Sequence, residues 1–292
     1  MPILLQEVFA CYETLSLNQA LQLPPARGFR DYIAWIAKQD NHKAEEFWKK
    51  ALKGFSSPTP FFVDTLPKQQ KQTWQGQKVF HVTERITQRL GELGKQNKLT
   101  LNTLVQGAWG ILLNRYSGED DVLFGAVVSG RPAELPGVDT MVGIFINTLP
   151  VRICFNEDES LLECLNELQA NQADQRQYEY TPLAKIQQWS DVEAGQALFE
   201  SILVFENFPV EQVLEQQNKG SLKVVDVMSS EQTNFPMTLI VSPGEQLTLE
   251  ILYSKERFED HVIDRLFGHF EKILARMIET MAQPVLNIPL LT

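Results

Sequence analysis

Apolar positions along the chain fall into blocks with helical spacing and blocks with strand spacing. Residues 3–14 place Leu4, Leu5, Val8 and Phe9 on one side of a helix. Two further helices are predicted around Phe29–Lys38 and His42–Leu52, the second capped by Asn41 and burying Phe47, Trp48 and Ala51. Residues 54–76, with Pro58, Pro60, Pro67 and several glutamines, read as a surface connector. A short strand over Gln77–Thr83 leads into a helix at 84–97. Thr100 or Asn102 then opens a strongly apolar helix through Leu104, Ala108, Trp109, Leu112 and Leu113.

The run Val122–Val128 is continuously apolar, the pattern of a strand covered on both faces. Met141–Ile153 reads as another strand with a turn before it, and Leu161–Gln172 as an amphipathic helix. Leu198–Phe205, Leu222–Met228, Phe235–Val241 and Gln246–Tyr253 are four more strand candidates. In the last, Leu247, Leu249, Ile251 and Tyr253 alternate with Thr248 and Glu250, so one face meets solvent. A closing helix from about Asp260 to Met281 carries the stripe Ile263, Leu266, Phe270, Ile273 and Met277. This order predicts an α/β layered sandwich, a mixed sheet flanked by helices. The strands after residue 198 have short connections, which points to antiparallel or mixed pairing in that part.

Composition narrows the class without naming a function. The chain has 292 residues, 43% hydrophobic and 22% charged, an ordinary globular balance. No apolar run approaches the roughly 18 residues of a membrane span. The first residues lack the basic region of a secretory signal. Cys11, Cys154 and Cys164 are too scattered for a disulfide framework or a metal cluster, and suit reduced thiols in the cytoplasm. A formal charge of −11 disfavours nucleic acid and anionic lipid as partners.

Candidate chemistry is sparse. His42, His81, His261 and His269 form no metal spacing, and read as solvated or core residues. No nucleophile elbow, Walker loop or dinucleotide fingerprint occurs. Ser129-Gly130-Arg131-Pro132, just after the buried strand, is the most unusual local sequence. Two readings stand: a turn with a solvated charge, or a loop fixed beside a ligand channel. Gly143 marks a close backbone approach, and Asn147 is a polar interruption that needs partners inside a core. By chemistry alone the chain is a soluble α/β domain with a pocket near residues 129–147.

Several segments together resemble condensation domains of nonribosomal peptide synthetases. Phe29-Arg30-Asp31-Tyr32-Ile33-Ala34-Trp35 is similar to the family's Arg-Asp-Tyr-x-x-Trp motif. Asp121–Arg131 resembles the strand and loop that floor the active-site tunnel. Val142-Gly143-Ile144-Phe145-Ile146-Asn147-Thr148-Leu149-Pro150-Val151-Arg152 is similar to another core motif and is the most specific match. Tyr180-Thr181-Pro182-Leu183 and the ending Asn287–Thr292 fall in family order, the latter like the junction with an adenylation domain. Asp191–Phe199 departs from the family's Arg-Asp-x-Ser-Arg-Asn-Pro-Leu-Phe element, which leaves the subtype and donor chirality open.

The resemblance implies the C-terminal part of a chloramphenicol-acetyltransferase-like fold over residues 1–292, with the N-terminal lobe absent. It implies amide formation between thioesters on the phosphopantetheine arms of carrier proteins, with no cofactor held by the domain itself. Implied partners are peptidyl or acyl carrier proteins, an adenylation domain and the missing lobe. The family's His-His-x-x-x-Asp-Gly motif would lie just before Pro2. None of the four histidines matches it, so no catalytic residue carries over and the chain alone is expected to be inactive. Ser129, Arg131, Asn147, Thr233 and Asn234 carry over as tunnel residues. The alternatives are a non-catalytic docking module for a carrier or neighbouring domain, and a related acyltransferase or epimerase.

Overall fold

The apolar run from Val122 to Val128 lies in strand β2 (Asp121–Val128), and its side chains enter two cores on opposite faces of a sheet. Val122, Phe124 and Ala126 join the main core, while Leu123 joins the second, against which Val127 and Val128 pack. The computed structural model describes residues 2–23, 25–61, 75–206 and 233–289. The chain divides into two units: the larger spans 41–128, 147–206 and 232–292, and the smaller includes 1–40 and 129–146.

The larger unit is built on a six-stranded sheet of order β1-β6-β5-β4-β2-β3. Its other strands are β1 (Gln75–His81), β3 (Asn147–Cys154), β4 (Ser201–Phe205), β5 (Met237–Ser242) and β6 (Thr248–Ser254). β2, β4 and β5 run parallel, and the remaining pairs are antiparallel, so the sheet is mixed as expected. On the main-core side lie α4 (Glu84–Asn97), α5 (Leu101–Ser117), α6 (Leu161–Gln175) and α8 (Asp260–Met277). Every α5 residue from Thr103 to Asn114 is buried, as an all-round apolar helix must be. Thr100 caps it, its hydroxyl accepting from the Thr103 N–H at 3.0 Å. All five predicted stripe residues of α8 are buried. On the other face, α3 (Asn41–Ala51) and α7 (Leu183–Trp189) cover a core centred on Trp48, Ile186, Phe199 and Ile202.

β3 forms one edge of the sheet, and its sequence carries the reason. Pro150 has no N–H to offer a further strand, and its carbonyl accepts from Gln175 Nε2 at 3.2 Å. The Thr148 N–H is taken by Asn147 Oδ1 at 2.9 Å. Proline inside a strand suits such an edge, where its missing N–H costs no ladder hydrogen bond.

Several expectations need correction. The strand expected over Met141–Ile153 begins only at Asn147, because its partner β2 ends at Val128, directly opposite. β4 starts at Ser201, since Leu198 and Phe199 turn into the second core before the strand begins. The closing helix ends at Met277, with a short 3-10 turn at Val285–Asn287 beyond it. Asn41 is the first residue of α3, and its side-chain oxygen accepts from Lys185 Nζ at 3.1 Å. Phe47 and Ala51 are half-buried. The expected connector over 54–76 is shorter at both ends: Thr59 and Phe61 are buried, and Gln75 and Gly76 already belong to β1. The Thr59 hydroxyl accepts from the Leu123 N–H at 2.8 Å. The strand expected at Leu222–Met228 lies outside the described residues. No described helix is long and apolar enough to cross a membrane.

Replacing Phe270, fully buried between α8 and the sheet, with alanine is expected to lower unfolding stability by about 3–5 kcal/mol. Thr100→Ala removes one cap and is expected to cost about 1 kcal/mol. Urea denaturation followed by circular dichroism checks both, and equal midpoints for the two variants would contradict the assigned packing.

Candidate functional site

In the smaller unit the excursion from Ser129 to Ile146 is organised around one ring. Phe145 is 3% exposed and clusters with Tyr32, Leu135, Val138 and Met141. Phe29 meets it edge-on at 5.0 Å and Tyr32 tilts against it at 4.5 Å. The Arg131 guanidinium lies 4.1 Å from the ring centre, a cation–π distance. The same group donates to the carbonyls of Val138 and, at 3.1 Å, Met141. Arg131 therefore ties both sides of the excursion together. Phe29, Tyr32 and Trp35 stand on or beside α2 (Arg30–Ile36), so the first motif of the sequence packs on the third.

Two glycines permit this packing. Gly130 has φ +61°, and a Cβ there would overlap the Phe145 carbonyl oxygen. A Cβ on Gly143 would run into the Phe29 ring, which is the close approach the sequence implied. With Met141 and Phe145 turned inward, the alternate residues face outward. Val142, Ile144 and Ile146 are 41%, 85% and 69% exposed. A row of three exposed β-branched side chains held on a pinned backbone is a ready apolar contact surface. Ser129 is exposed at the start of the same excursion.

In the larger unit Asn147 pairs with Val128 at the end of the β2–β3 ladder. Its Nδ2 donates to the carbonyls of Glu179 and Thr181, both at 2.8 Å. The polar interruption thus has its partners, and they join the Val142–Arg152 motif to the segment around Tyr180. Arg152 ends the motif with a two-pronged pair to Asp121, at 2.8 and 2.7 Å, while its third nitrogen donates to the carbonyls of Ala51 and Lys53. The Asp121 carboxylate raises the Arg152 pKa further, so this charge is permanent.

Thr233 and Asn234 sit elsewhere. They precede Met237, whose neighbour in the parallel pair is Ser201, at the start of β4. Asn147 lies at the other end, where β2 and β4 finish. Four strand residues separate the two levels, roughly 13 Å at the rise of a β-strand. The Thr233 carbonyl accepts from Gln75 Nε2 at 2.8 Å, and its hydroxyl meets that of Thr238 at 2.7 Å. Asn234 is exposed. Nearby, Arg257 and Glu200 form a half-buried ion pair at 2.8 Å that no local pattern in the sequence announces, because the two residues lie so far apart in the chain.

All four histidines belong to the larger unit, outside the excursion. His42 faces Glu46, His81 meets Thr248, His261 faces Glu259, and His269 meets the Tyr116 hydroxyl. Among the described residues, no three His, Cys, Asp or Glu side chains are grouped to hold a metal ion.

A family model described as "Condensation domain" matches residues 1–292. The chain belongs to the condensation domain family. A linear gramicidin synthase protein of Brevibacillus parabrevis is 46% identical over 100% of this chain and 6% of its own length. Surfactin synthase subunit 3 of Bacillus subtilis (strain 168) is 33% identical over 99% of this chain and 22% of its own. The chain thus spans a small part of these relatives. Among solved structures, the first condensation domain of the CDA synthetase superposes with a TM-score of 0.78 at 13% identity, over 100% of this chain and 64% of that one. The X-domain from teicoplanin biosynthesis gives 0.76 at 18% identity, over 100% and 68%. The mixed sheet with flanking helices is the chloramphenicol-acetyltransferase-like fold of condensation domains.

Two outcomes test this geometry. Gly130→Ala forces a side chain into left-handed backbone against a carbonyl, and is expected to cost at least about 2 kcal/mol. A melting temperature unchanged from the parent would refute the close approach. Burial, with the Asp121 charge, pushes the Cys154 thiol up to about 11. The folded protein therefore holds Cys154 protonated until pH nears that value. At pH 8 its alkylation by iodoacetamide is expected to run roughly a hundredfold slower than that of a free cysteine. Peptide mass spectrometry reads the rate, which should climb towards pH 11.

Proposed function

We propose that this chain takes part in amide formation between two carrier-bound thioesters, supplying one wall of the substrate tunnel. The acceptor amine attacks the donor thioester carbonyl, a C–N bond forms, the C–S bond breaks, and the thiol leaves with a proton. The observation that carries the reading is the excursion pinned by Arg131, which turns Val142, Ile144 and Ile146 outward within the family's most specific motif. Such a surface suits the alkyl portions of a phosphopantetheine arm or an aminoacyl chain, and orders them before reaction.

In this reading Ser129, Arg131 and Asn147 act mainly through position. Both terminal nitrogens of Arg131 and the Asn147 amide nitrogen donate to backbone carbonyls, so in this reading they shape the wall instead of moving protons. Thr233 and Asn234 would serve the other end of the sheet. In this reading none of the four histidines is the base for the attacking amine, since none falls in a motif shared with the family. In this reading the chain assayed by itself forms no amide, and the protein works in the cytoplasm beside carrier proteins and an adenylation domain.

A second reading, a docking module without chemistry, is favoured by the same use of Arg131 and Asn147 on backbone carbonyls. Incubating the chain with two thioester-loaded carriers and analysing products by mass spectrometry separates the outcomes. No amide above the uncatalysed rate is expected, and turnover would overturn the inert reading. In a synthetase that contains this sequence, Ile144→Asp is expected to cut product formation by about tenfold or more, the size of one misplaced contact surface. Unchanged turnover would remove the wall assignment. Carrier affinity that survives Arg131→Ala would favour docking away from the excursion.

A further inference from the structure

Helix α8 carries charges of opposite sign on its two flanks. Asp264 and Glu271 face β1 and α4, where Lys78 Nζ reaches Asp264 at 2.6 Å and the Thr83 N–H donates to Glu271 at 3.4 Å. These acids are engaged within the fold. Along the flank beside α5 run Arg265, His269, Lys272 and Arg276, at spacings of four, three and four residues. At 100° per residue all four fall within about a 60° sector, and the row is about 16 Å long.

This row stands out in a chain of net charge −11. Arg265 and Lys272 are exposed, and neither has a carboxylate partner among the described residues. Arg276 is only loosely matched, by Glu279 at 3.4 Å on the exposed surface. His269 Nδ1 lies 3.0 Å from the Tyr116 hydroxyl. Burial, then the charges of Lys272 and Arg265, hold the His269 imidazole below its ordinary pKa, with no carboxylate offsetting them. Arg265 acts in the same direction on Tyr116, partly opposing the upward push of burial. Arg115, nearby on α5, is taken up by the carbonyls of Leu286 and Ile288. Among the described residues, Arg265 and Lys272 thus give the flank a positive potential that no close carboxylate offsets, with Arg276 loosely matched and His269 uncharged between them.

We propose that this flank of α8 is a docking surface for the acidic face of a helix on a partner protein domain. The row is linear and parallel to a helix axis, so it matches carboxylates repeating at the same four-three-four spacing on a second helix. A lone phosphate would call for converging donors, and an extended polyanion or an anionic bilayer meets the repulsion of the whole acidic chain. The recognition is electrostatic, carried by Arg265, Lys272 and Arg276, and it is independent of the amide-forming reaction.

The probe is a fluorescent, hydrocarbon-stapled helical peptide with four glutamates at that spacing, titrated with the full chain and read by anisotropy. The peptide with glutamines in their place is the control. Glutamate-dependent binding is expected, weakened by raising salt from about 0.05 to 0.5 M. Lys272→Glu, at an exposed position that cannot unfold the helix, is expected to weaken binding by about fivefold or more. Arg265→Ala should act in the same direction with an unchanged circular dichroism spectrum. Equal binding of the glutamine peptide, or an unchanged Kd for Lys272→Glu, would overturn the proposal. So would binding only to inorganic phosphate or to phosphatidylserine vesicles.

Discussion

Two-sided burial of β2 is the constraint from which the larger unit follows. A strand with apolar side chains on both faces has to be sandwiched, and here Phe124 and Leu123 anchor separate cores on the two sides. The main core needs four helices because α5 is itself apolar all round and must be enclosed. The second core is shallower, covered by α3 and α7 with Trp48 at its centre. Parallel partners β4 and β5 on one side and the antiparallel edge strand β3 on the other hold β2 in the middle of this arrangement.

The Val128–Asn147 pair is the last rung of the β2–β3 ladder, and the chain between those residues is free to leave the sheet. That excursion keeps a definite shape because Arg131, two glycines and the Phe29–Tyr32–Phe145 cluster replace ladder hydrogen bonds with ring packing and side-chain donors. The result differs from a strand in one consequential respect: the outward residues Val142, Ile144 and Ile146 have no sheet partner to cover them. In the larger unit, Asn147 fixes the return point of the chain by holding the Glu179 and Thr181 carbonyls.

Much of this was legible in the chain. Helical stripes as regular as that of α8, and a run as apolar as Val122–Val128, require particular environments whatever their neighbours do. Gly143 and Asn147 announced a close approach and a need for partners, and both are found. The errors fell at boundaries. Residues 141–146 alternate like a strand, yet alternation records only which side chains point the same way, and here the inward side is an aromatic cluster in place of a ladder. Thr59 and Phe61 were read as connector because proline-rich composition does not reveal that one hydroxyl meets the Leu123 N–H.

The sequence by itself determined the types of element, the family and the candidate loop, because periodicity, glycine and proline act through local backbone sterics and burial. Only the tertiary structure decided the strand order and the separation of Asn147 from Thr233 and Asn234 at opposite ends of the sheet. It also decided that α8 turns its bases to one flank and its acids to the other. Those facts depend on pairings between residues far apart in the chain, where local propensity carries no information about which strand or helix will be the neighbour.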